Sequence, residues 1–288
     1  MKHTLKITIV LVLLFFAAQI IGLIIVDKYI DKEKSTKEVT VYRQLPYNIE
    51  RPDIKPSLSY IYIIIAVLVG TGILLLLIRF RKNTLWKLWF FLSVWLVLGI
   101  ALSAFINQKL SIILALFLAA YKVLRPSLII QNLTELLIYG GLAAIFVPIL
   151  NLLSIFILLI LISIYDMYAV WHSKHMIKLA KFQTKSKVFA GLFVPYKLKG
   201  IEPIKAKQVK VGKIRTAILG GGDIAFPLLF SGVVMKSFGF LQTLIIPVIV
   251  SVALLLLFLK SEKGKFYPAM PFLTIGCFIG FGIVYLMF

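Results

Sequence analysis

Residues 133–171 read LTELLIYGGLAAIFVPILNLLSIFILLILISIYDMYAVW, an apolar stretch about twice as long as one membrane-crossing helix requires. Pro148, with Asn151 close behind it near the middle, supplies a break that divides the stretch into two helices. Toward the end of the second half stands an acid, Asp166, deep in residues that a bilayer would accept without it. Comparable apolar runs of about 20 residues surround this pair. Four precede it, near 7–26, 58–78, 85–105 and 110–124, and three follow, near 216–235, 239–259 and 267–287. The sum is about nine spans.

Composition agrees, since 61% of the 288 residues are hydrophobic, only 15% are charged and mean hydropathy is +1.00. A single soluble core cannot enclose that much apolar surface, so the lipid bilayer is the solvent. The expected architecture is all-α and polytopic, one membrane domain over 1–288. It comprises spans one to six in 1–171, a Lys-rich cytoplasmic loop at 172–215 and spans seven to nine in 216–288. The first run is longer than a signal-peptide core and ends without a small-residue cleavage pattern, so it reads as an uncleaved span.

The net charge of +21 is spread among loops rather than gathered on one basic face, which argues against nucleic acid as a partner. Topology accounts for it better. A cytoplasmic N-terminus places 23 of the 32 Lys and Arg residues in inner segments, twelve of them in 172–215, and leaves the C-terminus outside. The outer loop 27–57 runs against this with seven basic residues, although six acidic ones accompany them. Within 172–215, Pro195, Gly200 and Pro203 suggest a solvated connector, in which the apolar segment 188–194 is able to form a short strand or an interfacial element.

Most of the eleven acidic residues lie in loops. Glu135 stands at the start of the fifth span, where an interface or a helix N-terminus holds it without special purpose. Asp166 and Asp223 differ, because an ionised carboxylate inside an apolar helix costs about 2.5 to 3.5 kcal/mol on insertion scales. Asp166 lies about five residues before the inner end of span six and Asp223 about eight residues into the returning span seven, so at 1.5 Å per residue their depths differ by only about 4 to 5 Å. Neighbouring antiparallel helices would bring them together, and no His or Lys at comparable depth offers another partner.

Two carboxylates sharing one site is the arrangement of aspartic proteases, in which like charges close together cannot both ionise. One activates a water while the other, protonated, hydrogen-bonds the scissile carbonyl and steadies the tetrahedral diol. Gly220, Gly221 and Gly222 remove side chains just before Asp223, and Pro227 weakens the helix four residues after it.

These residues resemble the presenilin and signal peptide peptidase family of intramembrane aspartyl proteases, most closely an archaeal presenilin homologue. Tyr165-Asp166 matches the family's Tyr-Asp in the sixth helix, Gly220-Gly221-Gly222-Asp223 its Gly-x-Gly-Asp in the seventh, and Pro268-Ala269-Met270, opening the ninth, its Pro-Ala-Leu. The departure is Met270, an apolar side chain of similar volume and greater flexibility. The resemblance implies a multi-pass protease of the cell membrane that cuts single-span proteins or peptides within the lipid bilayer after locally unwinding them. Asp166 and Asp223 would be catalytic, and Tyr165, the three glycines and Pro268-Ala269-Met270 would contact substrate. It implies no metal and no cofactor, and action either alone or as a homo-oligomer. A helical substrate hides its carbonyls in hydrogen bonds and must open before water attacks, and an extended substrate would suit pairing with an edge strand from the inner loop.

The main alternative is a proton- or ion-coupled transporter using the same carboxylates, against which stands the lack of an inverted repeat. A prepilin-type peptidase shares Gly-x-Gly-Asp but is a smaller bundle. No His-Glu-x-x-His motif is present, and His172 and His175 lack a third ligand. Cys277 reads as a packed thiol, Ser231-Gly232 as a helix contact, and the four tryptophans as interface anchors.

Overall fold

The structure is a computed structural model that describes residues 4–36, 39–80, 82–125, 127–173, 179, 182–183, 188–195, 216–262 and 267–288. Nine helices of sixteen or more residues occur among them: α1 (Leu5–Tyr29), α2 (Ser59–Arg79), α3 (Asn83–Ser103), α4 (Gln108–Leu124), α5 (Leu128–Phe146), α6 (Leu152–Met167), α7 (Gly221–Phe238), α8 (Ile245–Lys260) and α9 (Met270–Met287). Seven candidate spans are long and apolar enough to cross a membrane, some of them extending through an adjoining short helical segment; α4, with 17 residues, and the Gly-rich α7 are the remaining two. The expected organisation of 172–215 as a connector falls largely outside the described residues, as does His175.

The break expected in residues 133–171 is present. α5 ends at Phe146, a 3-10 turn spans Val147–Ile149, and the Asn151 side chain accepts the Ser154 N–H at 2.8 Å to start α6. Pro148 cannot donate within a helix ladder, and an Asn side chain satisfies a donor that the new helix leaves orphaned. Lys236 of α7 donates to the carbonyls of Pro148 and Leu150 at 3.2 and 2.6 Å, which holds the turn from the other side. Asn151→Ala is expected to cost about 1 kcal/mol of stability, read as a small downward shift of the thermal transition in detergent.

Helix α1 lies at the centre, packed against α5, α7 and α8, with Leu11, Phe15, Ala18 and Leu23 fully buried. It crosses α5 closely at Gly22 and Gly140, where a methyl group on Gly140 would come within 3.1 Å of the Gly22 Cα. Small residues permit such approach in lipid, where van der Waals packing rather than the hydrophobic effect drives helix association. By contrast, α2 exposes Ile61, Ile65, Leu68, Val69, Ile73 and Leu76 and touches the bundle mainly along α6, as befits a lipid-facing helix.

Two departures from the sequence expectation matter for the site. Residues Thr216–Gly220 are not the start of a helix but strand β2, paired antiparallel with β1 (Gly191–Pro195), so a two-stranded sheet joins the helices. Thr216 and Ile218 are β-branched and the run ends in poor helix formers, so an apolar stretch consistent with either state takes the strand, and α7 begins only at Gly221. Asp223 therefore stands in the first turn of its helix, not about eight residues into it. Of the two states open to the apolar segment 188–194, a short strand or an interfacial element, the strand is the one present, as β1, which runs one residue further to Pro195.

The second departure is Glu135, which is no interfacial acid. It is 1% exposed, eighth in α5, and ion-paired at 2.5 Å with an equally buried Lys122 of α4.

Candidate active site

Asp166 occupies the last turn of α6, where the helix passes into a π turn at Tyr168–His172. It is buried, and its carboxylate accepts the Met270 N–H at 3.1 Å and also the Ala269 N–H. Those donors belong to the opening of α9, whose first amides have no partner within their own helix, so a carboxylate from α6 caps it. Ser163 and Thr274, one turn along the same two helices, meet at 2.8 Å and fix their register. The contact with Asp166 is made by backbone, which explains why Met270 in place of leucine leaves it intact. The Met270 side chain, 3% exposed, packs into the core instead.

Asp223 is the third residue of α7, and its carboxylate reaches back to the N–H of Gly220, the residue that precedes the helix with extended φ −66° and ψ 148°. This is the acidic half of a capping box. A methyl group on Gly220 would sit 3.2 Å from Asp223 Oδ2, closer than ordinary contact, so glycine leaves the carboxylate its place. Pro227 has no N–H to offer the Asp223 carbonyl four residues earlier, and Gln19 of α1 donates at 2.9 Å to the Ile224 carbonyl, bracing this loosened first turn.

The two carboxylates thus come from antiparallel neighbours, α6 and α7, at the end of the bundle where α9 begins, and they lie within electrostatic reach of one another. Met270, which opens α9, and the preceding Pro268 and Ala269 join them, all buried. Of the three glycines, Gly222 is exposed, and a methyl group added there would meet nothing nearer than 3.8 Å. A methyl on Gly221, in contrast, would lie 2.9 Å from the Tyr139 hydroxyl and 3.3 Å from the Ala190 carbonyl. Gly221→Ala is expected to displace this turn and lower the thermal transition in detergent, with Gly222→Ala close to wild type. The Tyr165 side chain is seen toward α2. Its hydroxyl donates to Thr71 of α2 at 3.3 Å, and its ring lines an apolar groove of about 350 Å³ between α2 and α6.

Sequence reasoning misses Gln19, Gln131, Tyr139 and Lys122, and it misplaces Glu135. Gln19, Lys122, Glu135 and Tyr139 are polar residues inside apolar runs and Gln131 stands just ahead of one, so the sequence shows that they are out of place though not which face they share. Among the described residues no group of His, Cys, Asp and Glu has the arrangement of a metal site. A carboxylate pair held by backbone donors, next to loosened backbone, suits acid–base hydrolysis of an amide.

The family model described as signal-peptide peptidase, presenilin aspartyl protease matches residues 39–288. Two solved structures of a presenilin family intramembrane aspartate protease resemble the fold, each with a TM-score of 0.62. One, in space group C222, is 21% identical, with 98% of this chain and 99% of that chain covered. The other, in space group P2, is 22% identical over 96% and 97%. No curated protein matches the sequence.

Proposed function

Because the chain belongs to the signal-peptide peptidase and presenilin aspartyl protease family, and so is an intramembrane aspartyl protease acting on membrane-embedded substrates, we propose that Asp166 and Asp223 are its catalytic pair. The observation that carries this is the convergence of two intramembrane carboxylates from antiparallel helices, Asp166 pinned by the N–H groups that open α9 and Asp223 by the Gly220 N–H, and, among the described residues, neither neutralised by a cation. One carboxylate draws a proton from water as it attacks the scissile carbonyl. The other donates a proton toward the carbonyl oxygen, giving a tetrahedral diol; as the C–N bond breaks, the first carboxyl passes its proton to the leaving nitrogen and the second takes one back from a diol hydroxyl, releasing an amine and a carboxylic acid. Asp166, held by α9, and Asp223, held by its own helix cap, are placed independently, which lets a peptide lie between them.

The substrate strand adds to β2. The Asn132 side chain of α5 donates to the Phe193 carbonyl at 2.8 Å and accepts the Phe193 N–H at 2.9 Å, so the outer edge of β1 is already occupied. In an antiparallel ladder the main-chain groups alternate in direction, so those of Ile218, opposite Phe193, face the far edge of β2. That edge leads straight into Gly220 and Asp223. A single-span substrate opened locally near its end would pair there and deliver its carbonyl to the carboxylates. The protease is a single membrane domain of the cell membrane, with its N-terminus in the cytoplasm as the basic loops favour, working alone or as a homo-oligomer.

The test is cleavage of a single-span reporter by purified protein in detergent, with the cut located by mass spectrometry. Cutting within or at the edge of the reporter's apolar segment, with KM raised about tenfold or more by Ile218→Pro, is the expected result. Absence of cutting across several reporters would overturn the reading.

A further inference from the structure

One face of α5 presents Gln131, Glu135 and Tyr139 at four-residue intervals, and helical spacing aligns them in a row facing the sheet and α7. The row is joined by hydrogen bonds throughout. Lys122 of α4 donates to Glu135 Oε1 at 2.5 Å and to the Thr134 hydroxyl at 2.9 Å, and Gln131 donates to Glu135 Oε1 at 3.1 Å. The same Gln131 amide reaches the carbonyls of Phe189 and Gly191 at 2.9 and 3.0 Å, at the start of β1. At the other end the Tyr139 hydroxyl donates to Glu135 Oε2.

A buried ion pair in an apolar protein is costly and is often replaceable by apolar residues without loss of stability, so its presence calls for a task other than holding the fold. Geometry supplies one. Tyr139 is 3% exposed, and its hydroxyl lies against Gly221 and within electrostatic reach of Asp223. In the motif Gly-x-Gly-Asp the variable position is Gly221 here, and it is the glycine whose missing side chain the Tyr139 hydroxyl takes up. The Gly221 N–H in turn donates to the Ala190 carbonyl at 3.1 Å, tying this turn to the segment that Gln131 holds.

We propose that Glu135, charge-balanced by Lys122, is a positioning residue: by accepting the Tyr139 hydroxyl it seats that phenol against Gly221 and so sets where Asp223 stands. The inference rests on the reading of Asp223 as catalytic. With its proton committed to Glu135, Tyr139 does not donate to Asp223, and the carboxylate stays open to water and to Asp166. Without an acceptor at position 135 the phenol would turn toward the other carboxylate within electrostatic reach, Asp223, and displace the turn.

The test compares two neutral double variants of the full chain in detergent, Lys122→Met with Glu135→Gln and Lys122→Met with Glu135→Leu, alongside Tyr139→Phe. Gln retains an oxygen that accepts the Tyr139 hydroxyl, and Leu does not. The Leu variant and Tyr139→Phe are expected to lower kcat on the order of tenfold with KM unchanged within about twofold, while the Gln variant stays within about threefold of wild type. Equal kcat for the Gln and Leu variants would overturn the proposal. Should the Leu variant not fold, a wild-type kcat in Tyr139→Phe, which loses only one oxygen, overturns it by itself. Asp166→Asn and Asp223→Asn run in the same assay separate the two levels. If either still cuts, the catalytic reading fails, and if both are inactive while Gln and Leu behave alike, positioning alone fails.

Discussion

Asp223→Asn and Asp166→Asn are each expected to lower kcat for reporter cleavage by about 10³-fold or more, leaving the fold intact. Asparagine matches the shape of the carboxylate and keeps an oxygen that accepts the same backbone donors, Met270 N–H for residue 166 and Gly220 N–H for residue 223. What it loses is the capacity to take up or release a proton, so the effect falls on chemistry rather than on architecture. Two residues acting as one unit give non-additive losses, and the double variant is expected to be no slower than either single one. Initial rates at saturating reporter, with the thermal transition as a control for folding, check both statements.

Lys122→Met is expected to destabilise the protein by about 3 to 5 kcal/mol, because it leaves the Glu135 carboxyl group, 1% exposed, without its cation. Lys122→Met combined with Glu135→Leu removes both charges and is expected to recover most of that loss, since apolar replacements of similar volume are tolerated where a buried pair stood. Thermal denaturation in detergent distinguishes these outcomes. A single variant as stable as wild type would mean that the pair bears no charge in the folded state.

The division at Pro148 and Asn151 is legible in the sequence because both residues act on their own backbone, one by a missing donor and one by a local cap. The carboxylate pair is legible because an acid in lipid is costly wherever its partner is. The strand at Thr216–Gly220 is not, since its pairing with β1 is nonlocal and the run Thr-Ala-Ile-Leu satisfies strand and helix alike. Glu135 reads as interfacial because its cation lies thirteen residues earlier on the preceding helix, a contact visible only once α4 and α5 pack. Lipid-facing and buried residues are both apolar in these helices, so the sequence does not show which face of α5 turns inward, and the row of Gln131, Glu135 and Tyr139 goes unnoticed. The backbone character of the Asp166 contact with α9 is hidden for a related reason, as a motif names side chains and not the amides that touch them.

The most direct measurement is equilibrium binding of a single-span peptide in which the scissile amide is replaced by a hydroxyethylene group, which imitates the tetrahedral diol. Wild type should bind it at least about 10²-fold tighter than the parent peptide, and Asp166→Asn and Asp223→Asn should each lose most of that gain while binding the parent peptide normally. Equal preference for the analogue in wild type and in either Asn variant would contradict a shared role for the two aspartates at the reacting carbon.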